Sequence, residues 1–131
     1  GEIGHLDTVG VLRDELLSGA PETAQAAAEA LAKMRHRAAL DALMDAVLEP
    51  AAIVRHCAAS ALAAYPHPRS LDALLKFLED AEPHVRLVAA TSLISLGEAA
   101  RPVREAVLAA ATSEKNEDIR LILEEIVETL R

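Results

Sequence analysis

Five histidines and one cysteine are the side chains of this 131-residue chain that offer distinctive chemistry: His5, His36, His56, His67, His84 and Cys57. His36, His67 and Glu98 recur at intervals of 31 residues, a set of imidazole and carboxylate groups of the kind that binds a metal ion. The interval itself argues against one ion. Equivalent positions in successive helical repeats lie roughly 8–10 Å apart, whereas ligands converge within about 2.2 Å of a metal. The histidines therefore read as solvated turn residues. Cys57 follows His56 directly, but adjacent residues point to different faces of a helix, and a reactive thiol needs an exposed electropositive setting. Cys57 also shares a 31-residue column with Ala26 and Val88, continued by Ile122 after a slip of three. It is expected in the core.

Other chemistry is sparse. Gly1, Gly4, Gly10, Gly19 and Gly97 form no phosphate-cradling loop, and no serine sits in a nucleophile-elbow pattern. The expectation is a protein that is not an enzyme, with no catalytic set, no cofactor and no metal. Thirteen basic against 21 acidic residues leave a net charge of −8, which removes the main electrostatic term of nucleic-acid binding. The longest stretch free of Asp, Glu, Lys and Arg is the 13 residues from His56 to Pro68, short of the ~18 needed for a membrane span. One cysteine excludes an intramolecular disulfide and suits a reducing, cytoplasmic setting. Gly1 in place of an initiator Met, with no basic or apolar leader in Gly1–Leu6, points to a domain cut from a longer protein.

The elements that must position these residues follow from repetition. Leu31, Leu62 and Leu93 are spaced by 31 and 31, as are Met34, Tyr65 and Leu96; Val54-Arg55, Val85-Arg86 and Ile119-Arg120 are spaced by 31 and then 34. A loop over Thr112–Asn116 accounts for the extra three. Each stretch predicts a first helix, A, with Pro21, Pro50 and Pro83 in the first turn, where proline is tolerated. A second helix, B, follows from Leu40, Leu43, Met44 and Val47, from Leu71, Leu74, Leu75 and Leu78, and from Val103, Val107 and Leu108. Breaks between A and B fall at Arg35–Arg37, at Tyr65-Pro66-His67-Pro68, and at Gly97 with Pro102. With a B-like helix over about Asp7–Ser18 and a last A helix over about Glu117–Leu130, the order is B, AB, AB, AB, A. With 28 alanines and two aromatic residues, the core is built from small and aliphatic side chains that let helices approach closely. The fold class is all-α, a single α-solenoid domain over residues 1–131.

Val85-Arg86, Ala89-Ala90, Leu93 and Leu96-Gly97, followed by a Leu-rich helix, resemble the short HEAT-like repeat also found in the phycobilin lyase family. Ala24 stands where the repeat has Arg, and Tyr65-Pro66 where it has Leu-Gly. The resemblance implies a scaffold or protein-interaction module. It also admits an accessory subunit of a bilin lyase-like enzyme, or a regulatory or spacer domain attached to a catalytic domain elsewhere. Helical-repeat hydroxylases use His-Glu pairs for iron, and no histidine here is followed by Glu. Helical-repeat DNA glycosylases use a basic groove with aromatic side chains, which this chain lacks.

Arg55, Arg86 and Arg120 sit near helix N-termini, where a cation opposes the macrodipole. A ladder of acidic partners is expected to compensate them, with Glu82 and Glu117 on the same helices and Glu49 and Asp80 through the stacked loops. In HEAT-like solenoids the B helices line the concave side, which makes Asp41, Asp72 and Glu105 an acidic row, with Asp45 and Lys76 one turn on. That row is the candidate binding surface for a basic or amphipathic segment of a protein partner, as against a merely solvated face. The last A helix carries Ile119, Ile122, Leu123, Ile126, Val127 and Leu130 without a following B helix. It either packs deeply on the third repeat or is covered by a missing domain, a partner or a second copy in a homodimer.

Overall fold

The computed structural model describes the backbone of residues 2–131 and the side chains from Thr8 onward. His5 lies outside the residues whose side chains are described. The described residues form helices α1 (Glu2–Leu17), α2 (Pro21–Met34), α3 (Arg37–Met44), α4 (Ala52–Ala61), α5 (Pro68–Phe77), α6 (Pro83–Leu96), α7 (Arg104–Ser113) and α8 (Glu117–Thr129), and no strand. Short 3-10 turns over Leu62–Ala64 and Gly97–Val103 extend α4 and α6. The order is B (α1), three AB pairs (α2–α3, α4–α5, α6–α7) and a last A (α8).

The A helices stack in sequence, α2 on α4, α4 on α6 and α6 on α8. Leu31, Leu62 and Leu93 are fully buried in this stack, each stabilising it by roughly 1.5–3 kcal/mol relative to exposure. Buried alanines, Ala27 and Ala28 in α2, Ala58 and Ala59 in α4 and Ala89 and Ala90 in α6, keep the contact surfaces low. Two hydrogen bonds tie neighbouring repeats: the Tyr65 hydroxyl donates to the Leu31 carbonyl at 2.6 Å, and Ser92 Oγ to the Ala59 carbonyl at 2.8 Å. Both polar groups are thereby satisfied at little solvent exposure.

Boundaries shift in places. Pro21 and Pro83 open α2 and α6, but Pro50 lies two residues ahead of α4, whose N-cap is Ala51. Pro68, expected as part of a break, is the first residue of α5, where its missing N–H costs nothing. The loop before α8 is Glu114–Asn116, because α7 continues to Ser113. In α7 the buried residues are Val107 and Ala111 while Leu108 is exposed.

The last A helix is packed deeply. Ile119, Leu123, Ile126, Val127 and Leu130 are buried and Ile122 packs against the core. The outward side of α8 carries Glu117, Glu124, Glu125 and Glu128, with Leu121 as its exposed apolar residue at 54 % exposure.

Candidate functional site

The arginine ladder is built in the interior of the stack. Arg55, in the first turn of α4, donates through Nε to Asp80 Oδ2 at 2.7 Å and through its second terminal nitrogen to Asp80 Oδ1 at 3.1 Å. Its remaining nitrogen reaches the carbonyls of Glu49 and Pro50, both at 2.7 Å. One repeat on, Arg86 pairs in the same way with Glu114 at 2.9 and 3.3 Å and with the carbonyls of Asp80 and Ala81 at 2.8 and 3.4 Å. The expected partner Glu82 is not used. Glu82 is the exposed N-cap of α6, whereas the Glu114 side chain, in the next inter-repeat loop, is nearly buried against the guanidinium. Arg120, the third position, makes no ion pair among the described residues. Both acids also brace the turn before the next helix by accepting from the N–H of its N-cap residue, Asp80 Oδ1 from Glu82 at 2.9 Å and Glu114 Oε2 from Asn116 at 3.0 Å.

The residues of the acidic row are all exposed, and neighbouring helices partly neutralise them. Asp41 of α3 pairs with Arg69 of α5, and Asp45 with Arg13 of α1 at 2.6 Å. Glu105 lies 3.3 Å from Arg104. Asp72 and Lys76, both on α5, make no ion pair among the described residues. The row therefore holds two ion pairs between helices, at Asp41 and Asp45, one within α7 at Glu105, and Asp72 as its bare carboxylate.

A groove lies elsewhere. Between α5 and α7 a groove of about 510 Å³ is lined by the apolar Leu75, Leu78, Ala106, Ala109 and Ala110 and by the charged Glu79, Asp80, Arg86, Glu114 and Lys115. None of Asp41, Asp45, Asp72, Lys76 and Glu105 lines it. The available signal was the spacing Ala106–Ala109–Ala110, small residues at helical intervals opposite Leu75 and Leu78.

Cys57 is buried. Burial first, and the Glu29 carboxylate second, push its thiol pKa above the usual value, the opposite of what a nucleophile needs. His56 is a correction: it stands in the body of α4, half-buried, and lines one groove with Cys57 between α2 and α4. Burial, then the neighbouring His84, lowers its pKa, so it is neutral at neutral pH. His36 and His67 do lie in turns, but with a structural task that the sequence reading missed. Each is the N-cap of a B helix, His36 Nδ1 accepting from the Ala38 N–H at 3.0 Å and His67 Nδ1 from the Arg69 N–H at 3.1 Å. Among the described residues no three His, Cys, Asp or Glu side chains form a group that could hold a metal ion, and no helix is long and apolar enough to cross a membrane.

Stacked antiparallel helix pairs joined by a recurring arginine–carboxylate rung define an α-solenoid. The family model for HEAT repeats matches residues 1–63 and 49–126; the chain belongs to the HEAT-repeat family. A comparison with curated proteins finds no match.

Proposed function

We propose that the chain is a non-enzymatic protein-interaction module, in which the interior repeats hold the groove between α5 and α7 open for an amphipathic segment of a protein partner. The observation that carries this reading is the groove's lining: leucine and alanine along one part, and Glu79 and Lys115 exposed beside the closed Arg86–Glu114 pair. An apolar side chain of a partner helix gains burial against Leu75 and Leu78, at about 25 cal/mol per Å² removed from water. Asp72 and Glu105, exposed on α5 and α7, favour basic residues on the flanks of that segment through charge complementarity. The family to which the chain belongs supports a scaffold or interaction role.

The test is capture from a lysate of the source cell with three immobilised proteins: wild type, Ala109→Trp to fill the groove, and Asp41→Lys/Asp72→Lys to reverse charge on the B helices outside it. Ala109 and both aspartates are exposed, so folding survives each change. The expected result is a protein retained by wild type, lost with Ala109→Trp and at least tenfold depleted with the charge reversal. Equal retention by all three overturns the reading.

A further inference from the structure

Six large apolar side chains are exposed among the described residues. Val11, Leu48 and Leu108 stand singly, on α1, on the loop after α3 and on α7. The other three gather on the stacked helices α6 and α8: Leu87 at 40 %, Ile94 at 45 % and Leu121 at 54 % exposure. Leu87 and Ile94 are seven residues apart, two turns along one side of α6. Leu121 is the counterpart of Leu87 one repeat on, 34 residues later, as Ile119 is of Val85. In the earlier repeats the column of Leu87 holds Gln25 and His56, and that of Ile94 holds Ala32 and Ala63. The large aliphatic residues are therefore particular to the last two A helices and are not set by the repeat. We propose that this face of α6 and α8 docks a basic amphipathic helix of a protein partner.

The face suits an apolar ridge. Beside Ile94 a crevice of about 60 Å³ runs between the two helices over the buried Leu93, Ile126 and Leu130, with Glu125 on its α8 side. Gly97 leaves the crevice open, since nothing lies within 4 Å of where a Cβ would stand. Thr91, between Leu87 and Ile94, donates its hydroxyl to the Val88 carbonyl at 2.9 Å, so covering the strip leaves that donor satisfied. Packed helices lie roughly 8–10 Å apart from axis to axis, which leaves a furrow for the side chains of a third helix. An extended segment has nothing to pair with, because the described residues include no strand edge.

Charge selects the occupant. Helix α8 carries Glu117, Asp118, Glu124, Glu125 and Glu128 against Arg120. Of the five acids only Glu128 has an ion pair among the described residues, with Arg131 at 3.5 Å. Glu124 and Glu125 lie one turn from Leu121, so lysine or arginine flanking the partner's apolar stripe meets unpaired carboxylates. A second copy docked through the same face brings two acidic helices together on chains of net charge −8, which like-charge repulsion opposes. An anionic lipid surface is repelled for the same reason. This surface belongs to the A helices, whereas the groove between α5 and α7 belongs to the B helices; the inference shares with that reading only a protein as partner.

The experiment selects a displayed library of random helical peptides against the immobilised wild-type chain and titrates each enriched peptide into the ¹⁵N-labelled protein. The expected peptides carry apolar residues at helical spacing flanked by Lys or Arg, and shift amides within residues 87–97 and 121–130. Ile94→Ser/Leu121→Ser and, separately, Glu124→Lys/Glu125→Lys should each weaken their binding roughly tenfold or more. All four positions are exposed, so both variants should keep the circular dichroism of wild type, and Ala109→Trp should bind these peptides as wild type does. The proposal fails if no enriched peptide maps to this face, if those that do lack basic flanks, or if either double variant binds as tightly as wild type. Dimerisation at rising protein concentration that Ile94→Ser/Leu121→Ser abolishes would assign the face to a second copy, and flotation with phosphatidylserine vesicles lost in that variant would assign it to lipid; each overturns the proposal. The groove reading is tested through Ala109→Trp and this one through Ile94→Ser/Leu121→Ser, so either can fail alone.

Discussion

The interior and the ends of the stack use the same sequence column differently. In the interior, Arg55 meets Asp80 and Arg86 meets Glu114, and each guanidinium also ties down the two carbonyls that precede its own helix. At the first repeat Ala24 occupies the arginine position, so Glu49 has no guanidinium opposite it among the described residues. At the last, Arg120 has its helix but no carboxylate. Ser18, which stands 62 residues before Asp80, keeps only the turn-bracing half of the acid's task, its Oγ accepting from the Ala20 N–H at 3.3 Å. A rung therefore belongs to the junction between two repeats rather than to either one, and it forms only where a loop follows on the far side.

If that is so, a disruption in the interior should propagate and one at the end should not. The largest expected effect is from Leu93→Asp, which puts an unpaired charge into the fully buried column shared by α6 and its neighbours. A loss above about 4 kcal/mol, seen as an unfolded chain by circular dichroism, is expected. Leu121→Asp, on the exposed side of α8, should leave the melting temperature within about 2 °C of wild type. Similar melting of both variants would break the comparison.

Next in size is the rung itself. Arg86 is 19 % exposed and Glu114 4 %, so Arg86→Met leaves a nearly buried carboxylate without its cation. Fully buried pairs cost 3–5 kcal/mol when broken and exposed ones cost about 1 or less, which places this change at about 2–3 kcal/mol. Arg120→Met, with no carboxylate to abandon, should cost under about 1 kcal/mol. Urea midpoints of the two variants measure the difference directly, and equal losses would mean that the ladder arginines act through their methylene packing instead.

The helix order and the buried Leu columns were legible because both depend on hydrophobic spacing, which a 31-residue period displays without any knowledge of neighbours. The rungs were half legible. Arginine recurrence showed in the sequence, but Glu114 sits beyond the three-residue slip, and only the turn over Glu114–Asn116 brings its carboxylate back to Arg86. The candidate site was less legible still. Asp41 and Asp72 repeat at 31, yet nothing local says that Arg69 will reach across to Asp41 from the start of α5. The groove was not legible either, since Leu108, read from the sequence as an apolar position of the third B helix, is exposed, and the lining on α7 comes from Ala106, Ala109 and Ala110 instead. The histidine caps were hidden for a different reason, since imidazole is an uncommon N-cap and its role depends on Nδ1 rather than on position.

The smallest effect that still separates interior from surface is in the acid limb of stability. Burial alone would raise the Asp80 carboxyl, but hydrogen bonds from Arg55 and the Glu82 N–H, with the charges of Arg55 and Arg86, hold it below the usual range. Glu114 is likewise lowered against its burial, by the Asn116 N–H and by Arg86. A carboxyl whose folded pKa is depressed binds its proton more weakly in the native state than in the unfolded chain. Its stabilisation is therefore complete above the ordinary carboxyl value of about 4 and drains as pH falls through the lower folded value. Glu98 is also lowered, by the hydrogen bond from Arg101, but that pair is fully exposed. Salt at about 1 M shortens the screening length to about 3 Å and should erase the surface pair's share while leaving most of the rung's. In urea titrations at pH 7, 4 and 3 in high salt, Asp80→Asn should lie below wild type at pH 7 and approach it at pH 3, whereas Glu98→Gln should track wild type throughout. If the Asp80→Asn gap stayed constant with pH, the rung would hold the repeats by shape and hydrogen bonding alone, and its charge would be incidental.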